Sequence, residues 1–98
     1  MNYELETTPV FDRWLHKLKN KPTRHKIAVR LSRIEMGNFG DHKQLGENLF
    51  ELRFVNHGAL RIYYTVRNGS IVILLAGGDK SSQSNDIARA RNILEELE

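Results

Sequence analysis

The chain contains no cysteine, which excludes a disulfide framework, a thiolate nucleophile and a zinc-thiolate site. Its four histidines, His16, His25, His42 and His57, show no metal-ligand spacing, so neither a metal nor another cofactor is expected. No apolar run approaches the roughly 20 residues of a membrane span. The opening segment is acidic and polar, without the basic and then apolar order of a signal peptide. A soluble, cytoplasmic chain with no membrane partner is therefore expected. Internal repeats and low-complexity segments are absent as well. The run Gly77-Gly78-Asp79-Lys80-Ser81-Ser82 lacks the spacing of a P-loop, which disfavours nucleotide hydrolysis. Such a strand-to-helix junction can still turn backbone N–H groups and Lys80 towards a phosphate, although a plain turn explains the glycines equally well.

Against these absences stands a clear β signal from Glu51 to Gln83. Asn68-Gly69 lies between two apolar-rich runs and accepts positive φ at both central positions of a type I′ hairpin turn. Leu49 to Val55 reads as a preceding strand, linked to the middle one through Asn56-His57-Gly58-Ala59. A three-stranded meander results. Period-two alternation puts Leu60, Ile62, Tyr64 and Val66 on one face of the middle strand and Arg61, Tyr63, Thr65 and Arg67 on the other. In the strand before it, Leu52 and Phe54 oppose Glu51, Arg53 and Val55. Arg53, Arg61 and Tyr63 are thus expected to share an open face, where solvated arginines are also routine. Ile71 to Ala76 is apolar on both faces and should be the most buried strand.

The 98 residues suit one domain with a single modest core. Tyr3 and Leu5 alternate with Asn2, Glu4 and Glu6, the pattern of a short edge strand. Thr8-Pro9 reads as a helix start, followed by an apolar stripe of Phe11, Trp14, Leu15 and Leu18. Lys19 to Pro22 ends that helix and Thr23 can cap a second, with Ile27, Leu31 and Ile34 buried and Gly37 as its left-handed stop. So short a link makes the two helices a hairpin able to cover one sheet face. Asn38 to Asn48 has the composition of a surface loop, and a last helix, capped by Ser82 or Ser84, buries Ile87, Ala90, Leu94 and Leu97. The expected fold is α+β, in the order βααβββα: a small antiparallel sheet, an N-terminal helical hairpin on one face and a C-terminal helix.

The net charge of +3 conceals a segregation. Residues 13 to 67 hold twelve of the fifteen Lys and Arg against four of the twelve Asp and Glu, whereas the two ends carry three basic and eight acidic groups. A basic centre favours an anionic partner such as nucleic acid. Solvated faces of amphipathic helices are the plainer account of the lysines.

Several strings resemble one family. Glu51-Leu52-Arg53, Arg61-Ile62-Tyr63-Tyr64 and Leu74 to Gln83, with Asp86-Ile87 and Ala90 beyond, are similar to the HigB-like, phage-derived addiction-module killer branch of the RelE/ParE toxin superfamily. Phe11, Trp14, Leu15, Leu18, Arg30-Leu31 and Gly37 to Asp41 also fall where that branch has its hairpin and loop. The resemblance implies a microbial RNase-like α+β domain that enters the ribosomal decoding site and cuts messenger RNA without a metal. It also implies a co-transcribed antitoxin, usually of helix-turn-helix type, with operator DNA reached only through that partner. By the same resemblance Arg53 and Arg61 stabilise phosphate, Lys80 binds phosphate or transfers a proton, Tyr63 stacks on or positions a base, and His57 is an acid/base candidate. Arg24, Lys26, Arg30, Lys43 and Arg67 are the further RNA-binding candidates. Some relatives place a catalytic histidine or tyrosine near the carboxy terminus, and Ile87 to Glu98 holds neither. A ParE-like gyrase poison that does not catalyse, or a degenerate module that binds only its antitoxin, stay open as alternatives.

Overall fold

The computed structural model describes residues 2–55 and 59–98. The chain builds strand β1 (Glu4–Thr7), helices α1 (Pro9–Lys17) and α2 (Lys21–Glu35), strands β2 (His42–Gly46), β3 (Leu49–Arg53), β4 (Arg61–Arg67) and β5 (Ile71–Gly78), a 3-10 turn at Lys80–Ser82 and helix α3 (Gln83–Leu97). They form one five-stranded sheet in the order β1-β5-β4-β3-β2. The expected α+β order is present, with one strand added and one direction changed. The meander β2 to β5 is antiparallel, but β1 pairs parallel to β5, Leu5 beside Val72. The helical hairpin carries the chain from β1 at one edge of the sheet to β2 at the other, so β1 and β5 are not joined by the tight turn that makes neighbouring strands antiparallel.

The turn chemistry explains most boundaries. Thr8 caps α1, its Oγ1 accepting from Phe11 N at 3.1 Å, with Pro9 in the first turn. The second helix starts earlier than Thr23: Asn20 is its cap, accepting from Thr23 N at 3.0 Å, and Pro22 lies inside its first turn. Proline has its φ preset there and forfeits no hydrogen bond, so it opens α2 where a reading from sequence has it ending α1. Gly37, at φ 91°, stops α2 as expected, its N–H reaching Ile34 O at 2.8 Å. Asn68 and Gly69, at φ 56° and 69°, make the expected hairpin turn.

The segment expected to be a loop holds β2. Its residues are mostly exposed, so the strand shows no apolar alternation and is defined by pairing with β3 alone. The third helix lacks the expected serine caps: Ser82 makes no side-chain cap bond. Asp79 instead caps the 3-10 turn before it, accepting from Ser81 N at 2.9 Å.

Two cores flank the sheet. Phe11, Ile27 and Ile34 from the helical hairpin pack with Leu52, Phe54, Leu60, Ile62, Tyr64, Val72 and Leu74. On the opposite face Ala90 and Leu94 of α3 pack with Leu49, Tyr63, Ile73, Leu75 and Ala76. Full burial of each large apolar side chain contributes roughly 1.5–3 kcal/mol, so neither face can be left open. A bulge between β4 and β5 sets Leu75 and Ala76 together against Tyr63, and Thr8 Oγ1 donates to Leu75 O at 2.7 Å. Leu97, expected to be buried, is 37% exposed at the end of α3.

Candidate functional site

Strand register brings the charged residues together. Glu51 lies opposite Tyr63, and Arg53 opposite Arg61, so all four share one sheet face as the alternation requires. That face is not open. Helix α3 covers its centre and buries Tyr63 completely, with the phenolic oxygen left without a hydrogen-bond partner among the described residues. Burial, and then the Glu51 and Asp86 charges, raise the Tyr63 pKa far above its ordinary value. Tyr63 can neither ionise near neutrality nor stack on a nucleotide, which removes it from the base-stacking role. His57 lies outside the described residues.

At the end of the sheet that α3 leaves uncovered, Arg53, Arg61 and Lys80 line one cleft of about 440 Å³ together with Asp41, Phe54, Val55, Ala59 and Leu60. Arg61 faces Gly78 across the β4–β5 ladder, and the chain continues through Asp79 to Lys80. Two arginines directly opposite on adjacent strands repel. Each here has a carboxylate. Arg53 Nη2 donates to Asp41 Oδ1 at 3.2 Å, both side chains being nearly half exposed, while Arg61 Nε donates to Glu51 Oε1 at 3.1 Å, with Glu51 almost wholly buried. Arg61 Nη1 also donates to Ala59 O at 2.9 Å, and Gln83 Nε2 donates to Glu51 Oε2 at 3.2 Å. Lys80 is exposed and makes no ion pair among the described residues. Three cations thus meet two carboxylates, and the surplus positive charge suits a phosphodiester.

The glycine run before Lys80 has a packing role. A Cβ at Gly77 would lie 2.4 Å from the Trp14 ring, and one at Gly78 would overlap the Asp86 carboxylate. The N–H groups of Ser81 and Ser82 are taken by Asp79, whose carboxyl is held below its ordinary pKa first by the Ser81 hydroxyl and then by these N–H groups. The junction therefore contributes Lys80 to the cleft and is no separate cradle for phosphate.

The remaining cationic candidates divide. Arg30 is a clamp: its guanidinium donates to the carbonyls of Arg53 (2.8 Å), Phe39 (3.1 Å) and Asp41 (3.1 Å) and stacks 4.5 Å above the Phe54 ring. Arg24 donates to the carbonyls of Leu15 and Leu18 and closes the end of α1. Arg67 donates to Leu97 O at 2.9 Å, at the far end of β4. Arg24 and Arg67 lie outside the cleft and Arg30 serves the fold, so the structure brings none of them into it. Lys26 is exposed in a second groove of about 300 Å³ that Arg30 also lines, with His25, Val29, Arg33, Phe54 and Val55, the last two lining both grooves. Lys43 is exposed on the edge strand, outside both grooves.

Asp41, Glu51 and Gln83 join the site in the structure and are not singled out by the sequence. A glutamate in a strand of buried leucines was the available signal, because a buried charge is retained only with a partner. Among the described residues no group of three His, Asp or Glu could hold a metal ion, and no helix is long and apolar enough to cross a membrane.

The model of the phage-derived Gp49-like protein family matches residues 13–97. An uncharacterized protein of Haemophilus influenzae is 45% identical over 97 residues, covering 99% of this chain and 98% of that protein. Among solved structures, the free E. coli toxin RelE, in a double-mutant form, superposes with a TM-score of 0.69 at 15% identity, covering 91% of this chain and 98% of that one. RelE in the intact E. coli RelBE toxin–antitoxin complex gives a TM-score of 0.66 at 18% identity, over 79% of this chain and 95% of that one. These structural likenesses establish the fold.

Proposed function

We propose that this chain, which belongs to the phage-derived Gp49-like family, is the toxin of a toxin–antitoxin module and cuts messenger RNA on the ribosome. The observation that carries the reading is the cleft in which Arg53, Arg61 and Lys80 converge on a fold shared with RelE. Attack of a 2′-OH on the neighbouring phosphate builds negative charge on the phosphate oxygens. Preorganised cations in a half-buried site stabilise that charge better than water does. Arg61 faces the oxygens where charge develops, and Arg53 and Lys80 hold the flanking backbone. No tyrosine or histidine lines the cleft among the described residues, so the Lys80 ammonium is the proton donor for the leaving 5′ oxygen. The proton of the attacking 2′-OH goes to His57, the acid/base candidate that the resemblance implies. A site of this kind stabilises charge but does little to align the 2′-OH; alignment by the ribosome, worth several kcal/mol in oriented reactions, makes cleavage ribosome-dependent.

The partner follows from the same reading. RelE is found with its antitoxin in the RelBE complex, and the protein encoded beside this chain is expected to neutralise it. The test is translation in extract, with primer extension on ribosome-engaged messages, in the presence and absence of that neighbour. Inhibition with discrete cuts, both abolished by the neighbour, is the expected result. Inhibition of gyrase with intact messages would point to the ParE-like alternative, and neutral behaviour in both assays to a binding module.

A further inference from the structure

We propose that Glu51 is a positioning residue for this cleft: its buried carboxylate fixes the Arg61 guanidinium in one orientation, and Gln83, the first residue of α3, fixes the carboxylate in turn. The inference rests on the cleft being an RNA-cleaving site.

Glu51 is 1% exposed, in a strand whose buried neighbours Leu49 and Leu52 are apolar. An apolar side chain there would avoid the desolvation of a carboxylate and is often the more stable choice. The carboxylate is nonetheless fully engaged, Oε1 by Arg61 Nε at 3.1 Å and Oε2 by Gln83 Nε2 at 3.2 Å. Arg61 is held at a second point, where Nη1 donates to Ala59 O at 2.9 Å. Two anchors fix the guanidinium plane. Of its five N–H donors, both on Nη2 and the second on Nη1 have no partner among the described residues, on a side chain that lines the cleft. Its cross-strand neighbour Arg53 is tied by a single bond to Asp41, with both side chains over 40% exposed. Arg61 is therefore the preorganised donor, and Arg53 the adaptable one.

Glu51 has two effects of opposite sign, and they separate positioning from mere charge. Glu51→Gln raises the net charge of the cleft by one, which draws RNA closer. It also weakens the hold on Arg61, because a neutral amide oxygen replaces the charged acceptor of the Arg61 Nε bond. The expected result is a split. A short single-stranded RNA with 2′-O-methyl groups, which cannot be cut, should bind as tightly as before or more tightly, while single-turnover cleavage of a ribosome-bound message slows on the order of tenfold. Gln83→Ala leaves the cleft charge unchanged, so its RNA affinity should hold within about twofold while cleavage still slows. It carries the test if Glu51→Gln does not fold. The Arg61 Hε resonance in 15N NMR reads the positioning without any cleavage, with slow solvent exchange in the native protein and faster exchange in both variants. Unchanged Hε exchange in both variants would overturn the proposal, as would cleavage and RNA affinity moving together in Glu51→Gln. If the native protein cuts no message, the proposed function fails, and the Hε exchange and RNA affinity still decide whether Glu51 positions Arg61.

Discussion

A single methyl group decides the fate of the β5–α3 junction. A Cβ on Gly78 would lie 1.8 Å from Asp86 Oδ2 and 2.9 Å from Ser82 Oγ, so Gly78→Ala must displace the Asp86 carboxylate and the Ser82 hydroxyl that donates to it. Overpacking of this kind costs about 1–3 kcal/mol, and a lowered Tm is expected in thermal unfolding. Arg61→Ala should cost more, about 3–5 kcal/mol, because it strands the buried Glu51 charge. The double variant Arg61→Ala, Glu51→Gln should recover much of that loss, since the stranded charge is gone; no recovery would mean that Glu51 is not held by Arg61. The two buried phenols set an alkaline limit. Burial is the main cause that raises the Tyr64 pKa to about 12, and that of Tyr63 rises further, both from an ordinary 10.0. Because the folded values are raised, stability is fully present below pH 10 and falls as the pH climbs from 10 towards 12, where the unfolded chain gains by ionising its phenols. Denaturant titrations at pH 8 and pH 11 check this. Tyr63→Phe should flatten the decline, and it should leave cleavage unchanged because the ring never reaches the cleft.

At the scale of elements, the legible parts were those written in local chemistry. The Asn68-Gly69 turn, the Thr8 cap, the Gly37 stop and the shared face of Arg53, Arg61 and Tyr63 all follow from backbone preferences and period-two alternation. Alternation assigns side chains to a face but says nothing of what covers it, and so Tyr63 was expected in solvent. Counting apolar surfaces carries further: the hairpin covers one face, and the stripe of Ala90 and Leu94 on α3 needs the other. Strand β2 left no such trace, since only Leu45 of its side chains packs on a core and its pairing with β3 is a property of the partner. The direction of β1 was equally illegible, because four residues alternate alike in either direction. One prediction belongs to this scale. Thr8 Oγ1 both caps α1 and donates to the carbonyl of the bulged Leu75, so Thr8→Ala removes two bonds from a buried site. A loss of about 1–3 kcal/mol is expected, while Thr8→Ser should keep most of the stability; equal losses would show that the methyl group matters more than the hydroxyl.

For the whole molecule, the fold agrees with the resemblance read from residues alone, and the Gly-Gly-Asp-Lys string serves it through packing. Its glycines admit Trp14 and Asp86 to the strand end, and Lys80 then joins the two arginines. The surplus of positive charge between residues 13 and 67 is partly spent inside the fold by Arg24, Arg30 and Arg67, which bond to carbonyls. The rest is on offer to a polyanion or an acidic antitoxin segment. Antitoxin binding should therefore weaken as salt rises, since exposed charges are screened beyond a Debye length of about 10 Å at 0.1 M; an affinity flat in salt would mean that apolar docking dominates.

The central claim is that the cleft cuts RNA while the remaining cations only attract it. Two exposed lysines test this with identical changes of charge, Lys80 inside the cleft and Lys26 in the neighbouring groove. The measurement is single-turnover cleavage of a saturating ribosome-bound message by Lys80→Ala and Lys26→Ala, with thermal unfolding to show that both remain folded. Lys80→Ala should lose on the order of 10²-fold in rate. Lys26→Ala should bind more weakly, with its salt dependence reduced by about one phosphate contact, and cut at the native rate once bound. Equal losses in the two variants, or a folded Lys80→Ala that cuts at full speed, would contradict the account and leave the cleft as a docking surface.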